Sequence, residues 1–349
     1  MNYNKITMKQ IADECGVSMM TVSRALSLKH KDKLRPATRD LILRAIKKYN
    51  YKFNQSASRL KRNKLDTITL IMGKRATDVP ETTPDFDLHY EVISWGVVKG
   101  VVQEARKHNY DVKIEPVIES DSYNTVIENI TSKMTDGVLF WGAYNLNKII
   151  QHVKNIKMPN IVMAKIDSDV HGIGKGYVLI DRKKGLEETV KYLYEKKHRK
   201  IGFVGCEDQT ASMNHSQLFS NYLKTKEIFD SNIFYSVRTS LDLRKLLLSF
   251  NNKFPFTALM CANDSLADMT VKELRFMGVK VPADVAVTGF DGNPVYQRKG
   301  QTNISTVYMP DVEAATVATQ MLIENIEKGL YIPGPMKIIP SSFIPGATT

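Results

Sequence analysis

The side chains best suited to chemistry in this 349-residue chain fall into two groups. Near the start, Ser18 is followed by Met19, Met20, Thr21, Ser23 and Arg24. The planar fork of Arg24 can pair with the O6 and N7 of a guanine edge. Met19 and Met20 carry no hydrogen-bond code; they can touch a thymine methyl, or they can simply pack. Far downstream, two apolar runs end in polar residues: ALMCAND at Asn263 and Asp264, and DVAVTGFD at Asp291, which Phe290 precedes. Asn or Asp can hold a pair of neighbouring hydroxyls, and an aromatic face can cover the apolar side of a sugar ring. The same residue types also cap the helix that follows such a strand.

Catalytic constellations are missing. There is no Walker loop, and Gly172, Gly174 and Gly176 in HGIGKGY lack the spacing and context of a dinucleotide fingerprint. The seven histidines form no HExxH pair, and no GxSxG elbow occurs. Asp264 and Asp291 resemble a glycosidase pair only in being two carboxylates, and each has a non-catalytic explanation. No catalytic residue, metal site or cofactor is expected, and the protein is not read as an enzyme. Cys15, Cys206 and Cys261 are odd in number and far apart, which predicts reduced, buried thiols.

Charge locates the partner of the first group. Residues 1–64 hold sixteen Lys and Arg against four Asp and Glu, whereas the remainder is balanced, so the whole excess of +12 lies in the first fifth of the chain. Such a footprint suits a polyanion-binding module attached to a neutral body. The segment is not a solvated tail, because it has helical periodicity and caps. Thr7 can cap a helix with Met8, Ile11, Ala12 and Cys15 on one face, ended by Gly16. Ser18 can cap a second, with Val22, Ala25 and Leu26 inward and Met20, Ser23 and Arg24 outward. Pro36 suits the start of a third, in which Leu41, Ile42, Ala45, Ile46 and Tyr49 recur at helical spacing. These helices predict a helix-turn-helix whose second helix enters the major groove of DNA.

MKQIADECGVSMMTVSRALS, followed by PATRDLILRAIKKYNYKFNQSASRL, resembles the headpiece and hinge of the lactose/galactose (LacI/GalR) repressor family over about sixty residues. The resemblance places Met19, Met20 and Arg24 at base-reading positions. It places Thr7, Ser18, Thr21, Ser23 and Asn54 where phosphates are contacted or the helix is braced, and adds Ala57 and Leu60 in the hinge. By this likeness the hinge forms a helix in the minor groove, with Leu60 wedged between base pairs; the alternative is an ordinary linker leucine. Two hinges side by side imply a homodimer on a pseudo-palindromic operator. Phe53 stands where the family usually has proline, and the loop LSLKHKDKLRP is long, which leaves hinge entry and half-site geometry open.

Beyond Leu65, short apolar runs (TITLIMG, DVKIEPV, DGVLFWG, NIVMAKI, YVLID, KIGFVG, NIFYSVR) alternate with helical stretches such as GLEETVKYLYEKK and SLADMTVKELRFMG. Parallel βαβ units follow, and so many strands fit two doubly wound lobes better than one sheet. Ligands of such sheets bind at the carboxyl ends of the strands. VPADVAVTGFDGNP, ALMCANDSLADMTVKELRFMGVKVP and the GFVG stretch are similar to the family's effector-binding core, itself similar to periplasmic sugar-binding proteins. The resemblance implies that Asn263 and Asp291 bind effector and that His89 and Tyr90 line the cleft from the other lobe. Two positions depart from the family: Gln217 stands where an arginine is usual, and Lys165 where an aspartate often follows the fourth strand. Losing an arginine removes a charged fork, though a neutral sugar is still favoured over a purine or a phosphorylated sugar.

The expected organisation is a headpiece over residues 1–53, a hinge over 54–64 and a two-lobed core over 65–349. One lobe is assigned about 65–167 with 308–336, and the other 168–307 with 337–349. The expected function is a repressor of carbohydrate-utilisation genes, released from its operator by a sugar. The alternative is a DNA-binding regulator controlled by a protein partner, such as a phosphorylated sugar-transport carrier, or by a co-repressor. No run approaches a membrane span, and MNYNKITMKQIADEC lacks the apolar stretch of a secretion signal, so a cytoplasmic protein without a membrane partner is expected. The C-terminal GPMKIIPSSFIPGATT reads as a final strand and tail without leucine heptads, making a dimer the default.

Overall fold

The computed structural model describes residues 6–26, 34–51, 64–73, 89–117, 122–132, 134–142, 146–165, 176–206, 210–297, 302–331 and 336–349; side chains of 89–94, 122 and 210–211 are outside the description. The chain divides into two compact units, Met1–Leu65 and Asp66–Thr349.

The first unit contains helices α1 (Met8–Glu14), α2 (Met19–Leu26) and α3 (Pro36–Lys48). Thr7 caps α1 through a reciprocal box: its hydroxyl accepts from the Gln10 N–H at 3.3 Å, and the Gln10 side chain accepts from the Thr7 N–H at 2.7 Å. Gly16 takes φ +62°, the left-handed turn that a side chain would resist. Ser18 Oγ accepts from the Thr21 N–H at 3.2 Å, starting α2. Ile11, Ala12, Cys15, Val22, Ala25, Ile42 and Ala45 close into one small core. Burying each of Ile11, Val22 and Ile42 contributes about 1.5–3 kcal/mol. Leu41 and Tyr49, expected on the inward face of α3, are exposed instead.

The second unit contains two six-stranded sheets. The first runs β11-β5-β4-β3-β1-β2 and is parallel throughout, built from β1 (Thr67–Gly73), β2 (Asp111–Val117), β3 (Gly137–Trp141), β4 (Asn160–Lys165), β5 (Tyr177–Asp181) and β11 (Lys337–Pro340). Helices α4 (His89–Lys107), α5 (Ser122–Thr131) and α6 (Asn147–Asn155) belong to this lobe. The second sheet runs β12-β10-β9-β8-β6-β7, from β6 (Ile201–Gly205), β7 (Phe234–Ser236), β8 (Ala258–Cys261), β9 (Ala286–Asp291), β10 (Ser305–Tyr308) and β12 (Ser342–Ile344), of which β12 alone is antiparallel. Its helices are α7 (Lys183–Glu195), α8 (Thr210–Thr225), α9 (Ser240–Ser249) and α10 (Asp264–Phe276). The long α11 (Asp311–Lys328) returns to the first lobe, packing on α4 and over β3, β4 and β5. Strands such as GVLFW and IGFVG are buried on both faces, which is why they read as continuous apolar runs.

The chain therefore passes between the sheets three times: at Arg182, at Met309–Pro310 and at Ser341. This corrects the expected lobe boundaries. Residues 177–181 and 337–340 join the first sheet rather than the second, because YVLID pairs beside β4 and Lys337–Pro340 pairs beside YVLID. Tyr308 ends β10 of the second sheet and not the first lobe. The expected single terminal strand is two short strands in different sheets, broken at Ser341. The Ser341 N–H donates to the Asp181 carbonyl at 2.9 Å, and Ser341 Oγ accepts from the Gly185 N–H at 3.0 Å, tying the first and third crossings together. A Cβ at Gly185 would stand 2.5 Å from Val307 Cγ1 and 2.8 Å from Ser341 Oγ, so only glycine lets α7 approach there.

Among the described residues, no helix is long and apolar enough to cross a membrane, and no group of three His, Cys, Asp or Glu could hold a metal. The three cysteines are free and buried, and burial pushes the Cys261 thiol up to about 12.

Candidate functional site

The helix-turn-helix leaves a polar and sulfur-rich face uncovered. Met19 and Met20 are 48% and 63% exposed, so neither belongs to the core of this unit. Arg24 also projects outward from α2, and Thr7 and Ser18 are exposed, whereas Thr21 and Ser23 are half-buried. The Ser18 and Thr21 hydroxyls lie 2.9 Å apart and hydrogen-bond, so this pair braces the helix start while staying at its surface. Lys48 closes the unit from below with a 2.9 Å ion pair to Glu14, a bond that lowers the Glu14 carboxyl. Phe53, Asn54, Ala57 and Leu60 lie outside the described residues.

The second candidate site collects polar residues at strand ends of the core. Lys165 ends β4, Arg182 follows β5, Asn263 follows β8, Asp291 ends β9 and Asp311 opens α11 after β10. Asn263 does cap α10: its Oδ1 accepts from the Leu266 N–H at 2.8 Å. Asp264 is fully buried, with Oδ1 accepting from Thr306 Oγ1 at 2.5 Å and Oδ2 from the Asn293 N–H at 2.6 Å. Burial pushes its carboxyl well up, against those hydrogen bonds and with help from the Asp291 charge. Asp264 is thus an internal brace between α10, β10 and the loop after β9. Asp291 has φ +105°, a conformation costly for any side chain except glycine's hydrogen, and is only 7% exposed. Gly292 follows at φ +67°, and a Cβ there would stand 2.8 Å from the Tyr308 Cα.

One expectation is corrected here. Phe290 is fully buried beneath the His215 ring, with centroids 3.8 Å apart, so its face is covered by protein and unavailable to a sugar. Gln217 is exposed on α8 and is only held by its carbonyl, which accepts from Ser220 Oγ at 2.8 Å. The helical turn explains this: His215 and Phe219, four residues apart, face inward, and Gln217 between them faces away. His89 and Tyr90 begin α4, but their side chains lie outside the description.

A buried cationic fork comes from another element. Arg182 is 1% exposed and its Nη1 lies 3.1 Å from His215 Nε2, while His215 Nδ1 lies 3.0 Å from the Ala262 carbonyl. An arginine can only donate, so Nε2 accepts and Nδ1 carries the proton, donating to Ala262. Burial, and then the Arg182 charge, holds the imidazole well below its usual value, consistent with this neutral tautomer. Arg182 was legible by the rule that found Asp291, since it directly follows the apolar run YVLID. His215 carried only its spacing to Phe219 as a signal, and Asp311 reads in sequence as an ordinary helix-start acid.

Comparison with known proteins follows this division. Residues 7–54 match the family described as bacterial regulatory proteins, lacI family, and residues 190–349 match a periplasmic binding protein-like domain. The chain is 25% identical over 333 residues to the HTH-type transcriptional regulator RegA of Clostridium saccharobutylicum, covering 92% of this chain and 93% of RegA. It is 26% identical over 330 residues to the probable HTH-type transcriptional repressor ExuR of Bacillus subtilis, covering 93% and 92%. Among solved structures, a lac repressor dimer bound to operator and the anti-inducer ONPF aligns with TM-score 0.70 at 18% identity over 99% of each chain. The regulator CelR in complex with cellobiose aligns with TM-score 0.63 at 20% identity over 99% of this chain and 100% of CelR.

Proposed function

The chain belongs to the lacI family of bacterial regulatory proteins, and on that premise we propose that it is a cytoplasmic, homodimeric repressor released from a pseudo-palindromic operator by a small sugar. It is a DNA-binding transcription regulator rather than an enzyme. The observation that carries the sugar reading is the gathering of Lys165, Arg182, Asn263 and Asp291 at strand ends, where doubly wound sheets take their ligands. Relatives of the same architecture have been solved with cellobiose or with ONPF, which supports a carbohydrate ligand here.

On the DNA side, Arg24 reads a guanine edge, Met19 and Met20 offer apolar contact, and Thr7, Ser18, Thr21 and Ser23 hold the helix to the backbone. In the core, Asn263 has spent its Oδ1 on the α10 cap, so its amide nitrogen serves the ligand as donor. Asp291 accepts from sugar hydroxyls, and Arg182, buried against His215, supplies positive charge behind the site. Sugar bound between the lobes stabilises one arrangement about the crossings at Arg182, Met309–Pro310 and Ser341. Release of DNA follows only if sugar binds the DNA-free arrangement more tightly.

The test is operator binding by the full-length protein at fixed salt, with a palindromic site from its own upstream region, with and without a panel of mono- and disaccharides. Loss of binding with one sugar establishes induction and names the effector. Binding indifferent to every sugar, or tightened by one, overturns the reading in favour of a protein partner or a co-repressor.

A further inference from the structure

We propose that Asp311 is an effector-binding residue, whose unpartnered Oδ1 accepts a hydrogen bond from a hydroxyl of an uncharged sugar. The assignment rests on the sugar-gated reading above and adds a residue to its site. Asp311 is only 6% exposed, yet its Oδ1 has no hydrogen-bond partner. A buried acceptor left in this state carries a desolvation cost that a bound donor relieves. An acid opening a helix ordinarily serves the free N–H groups of the first turn. Here the N–H groups of Asp311 and Ala314 already donate to the carbonyls of Met309 and Pro310, both at 2.9 Å.

Its surroundings place it at the meeting of the two sheets. The charged groups acting on it are Lys165 at the end of β4, Asp291 at the end of β9, and Glu313 one half-turn along its own helix. Glu313 is held elsewhere, accepting from the Tyr308 hydroxyl at 2.9 and 3.0 Å. Lys165 and Arg182 bring two positive charges to this region, and Asp291 and Asp311 bring two negative ones. His215 is neutral, and the Asp264 carboxyl is pushed well up by burial. Glu313 adds a third negative charge and Asp311 is partly protonated near neutral pH, so less than one net charge is left for a ligand to neutralise, which favours a neutral polyol over a sugar acid or an amino sugar.

This arrangement has a pH signature. Burial raises the Asp311 carboxyl to about 7, with Lys165 opposing and Asp291 and Glu313 adding to the rise. Only the ionised carboxylate is a full acceptor, so sugar binding displaces its proton. Affinity therefore increases as pH rises, by up to about tenfold between about pH 6 and about pH 8.

The experiment is calorimetric titration of the full-length protein with D-glucose, D-galactose, D-ribose, cellobiose, D-galacturonate and D-glucosamine across that range. The wild type, Asp311→Asn and Glu313→Gln are compared. The expected result is a neutral sugar bound more tightly at higher pH, an Asp311→Asn variant weakened at least about tenfold at the upper pH with no pH dependence, and a Glu313→Gln variant whose midpoint moves to lower pH. Asp311→Asn binding with wild-type affinity and pH slope overturns the assignment and leaves the sugar-gated reading standing. Selective binding of galacturonate or glucosamine, or affinity falling with pH, overturns the neutral-hydroxyl assignment. Binding of none of the six overturns the sugar reading, and the Asp311 role with it. Should Asp311→Asn lose its cooperative thermal unfolding, Glu313→Gln decides: a midpoint unmoved from wild type overturns the proposal.

Discussion

Arg24 and Asp291 are single side chains on which the two halves of the function can be separated. Arg24 projects from α2 with Met19 and Met20, and of the three only the guanidinium has donors for a base edge. Arg24→Ala is expected to weaken operator binding by about 1–3 kcal/mol and to relax discrimination at one base pair, measured by titrating operators with each base at that position. Wild-type affinity and preference in this variant remove Arg24 from the reading set. Asp291 differs in kind. It is buried, held at φ +105°, and its charge reaches His215, Asp264 and Asp311. Asp291→Ala is expected to abolish the sugar response while the effector-free protein still binds operator, as read in the same titration with and without the inducing sugar. A surviving response moves the ligand away from the end of β9.

Elements impose their own constraints, and the sharpest lies between α4 and α11. A Cβ at Gly100 would stand 2.5 Å from the Val312 carbonyl oxygen and 2.7 Å from the Ala315 Cβ. Neither is the tip of a flexible side chain, so the helices must separate to admit it. Gly100→Ala is expected to destabilise the core by about 1–3 kcal/mol despite the higher helix propensity of alanine, seen as a lowered midpoint in denaturant unfolding. An unchanged or raised midpoint shows that α4 can shift freely. The element pattern was largely legible: caps at Thr7 and Ser18, the proline start at Pro36 and the fully apolar strands all stand where sequence placed them. Gln217 was not, because one sequence position decides which side of a helix a residue faces, and no motif fixed the phase of α8. Phe290 failed for a related reason: alternation along β9 could not say that His215, seventy-five residues earlier, would cover its ring.

At the scale of the molecule, the excess of positive charge is confined to the first 64 residues, and the core is neutral. Operator affinity should therefore fall steeply with salt, with a log–log slope of about −0.9 for each phosphate neutralised, whereas sugar affinity of the neutral core should change little. Parallel measurements across a salt series check this, and a sugar affinity as salt-sensitive as operator binding contradicts it. Composition and spacing by themselves determined the helix-turn-helix, the parallel two-sheet core, the outward side of α2 and the placing of polar residues after apolar strands. Those features are local or periodic: a cap, a turn or a buried strand is written within a few residues of itself. Tertiary structure alone decided where the chain crosses between sheets, since YVLID reads the same beside either one and only its pairing with β4 and β11 assigns it. It also decided that Arg182 is buried against His215 while Gln217 lies exposed, and that Asp311 has a carboxylate oxygen without a hydrogen-bond partner within reach of the Asp291 charge. These residues come from elements distant in sequence, and their charges and hydrogen bonds acquire meaning only when folding removes the water between them.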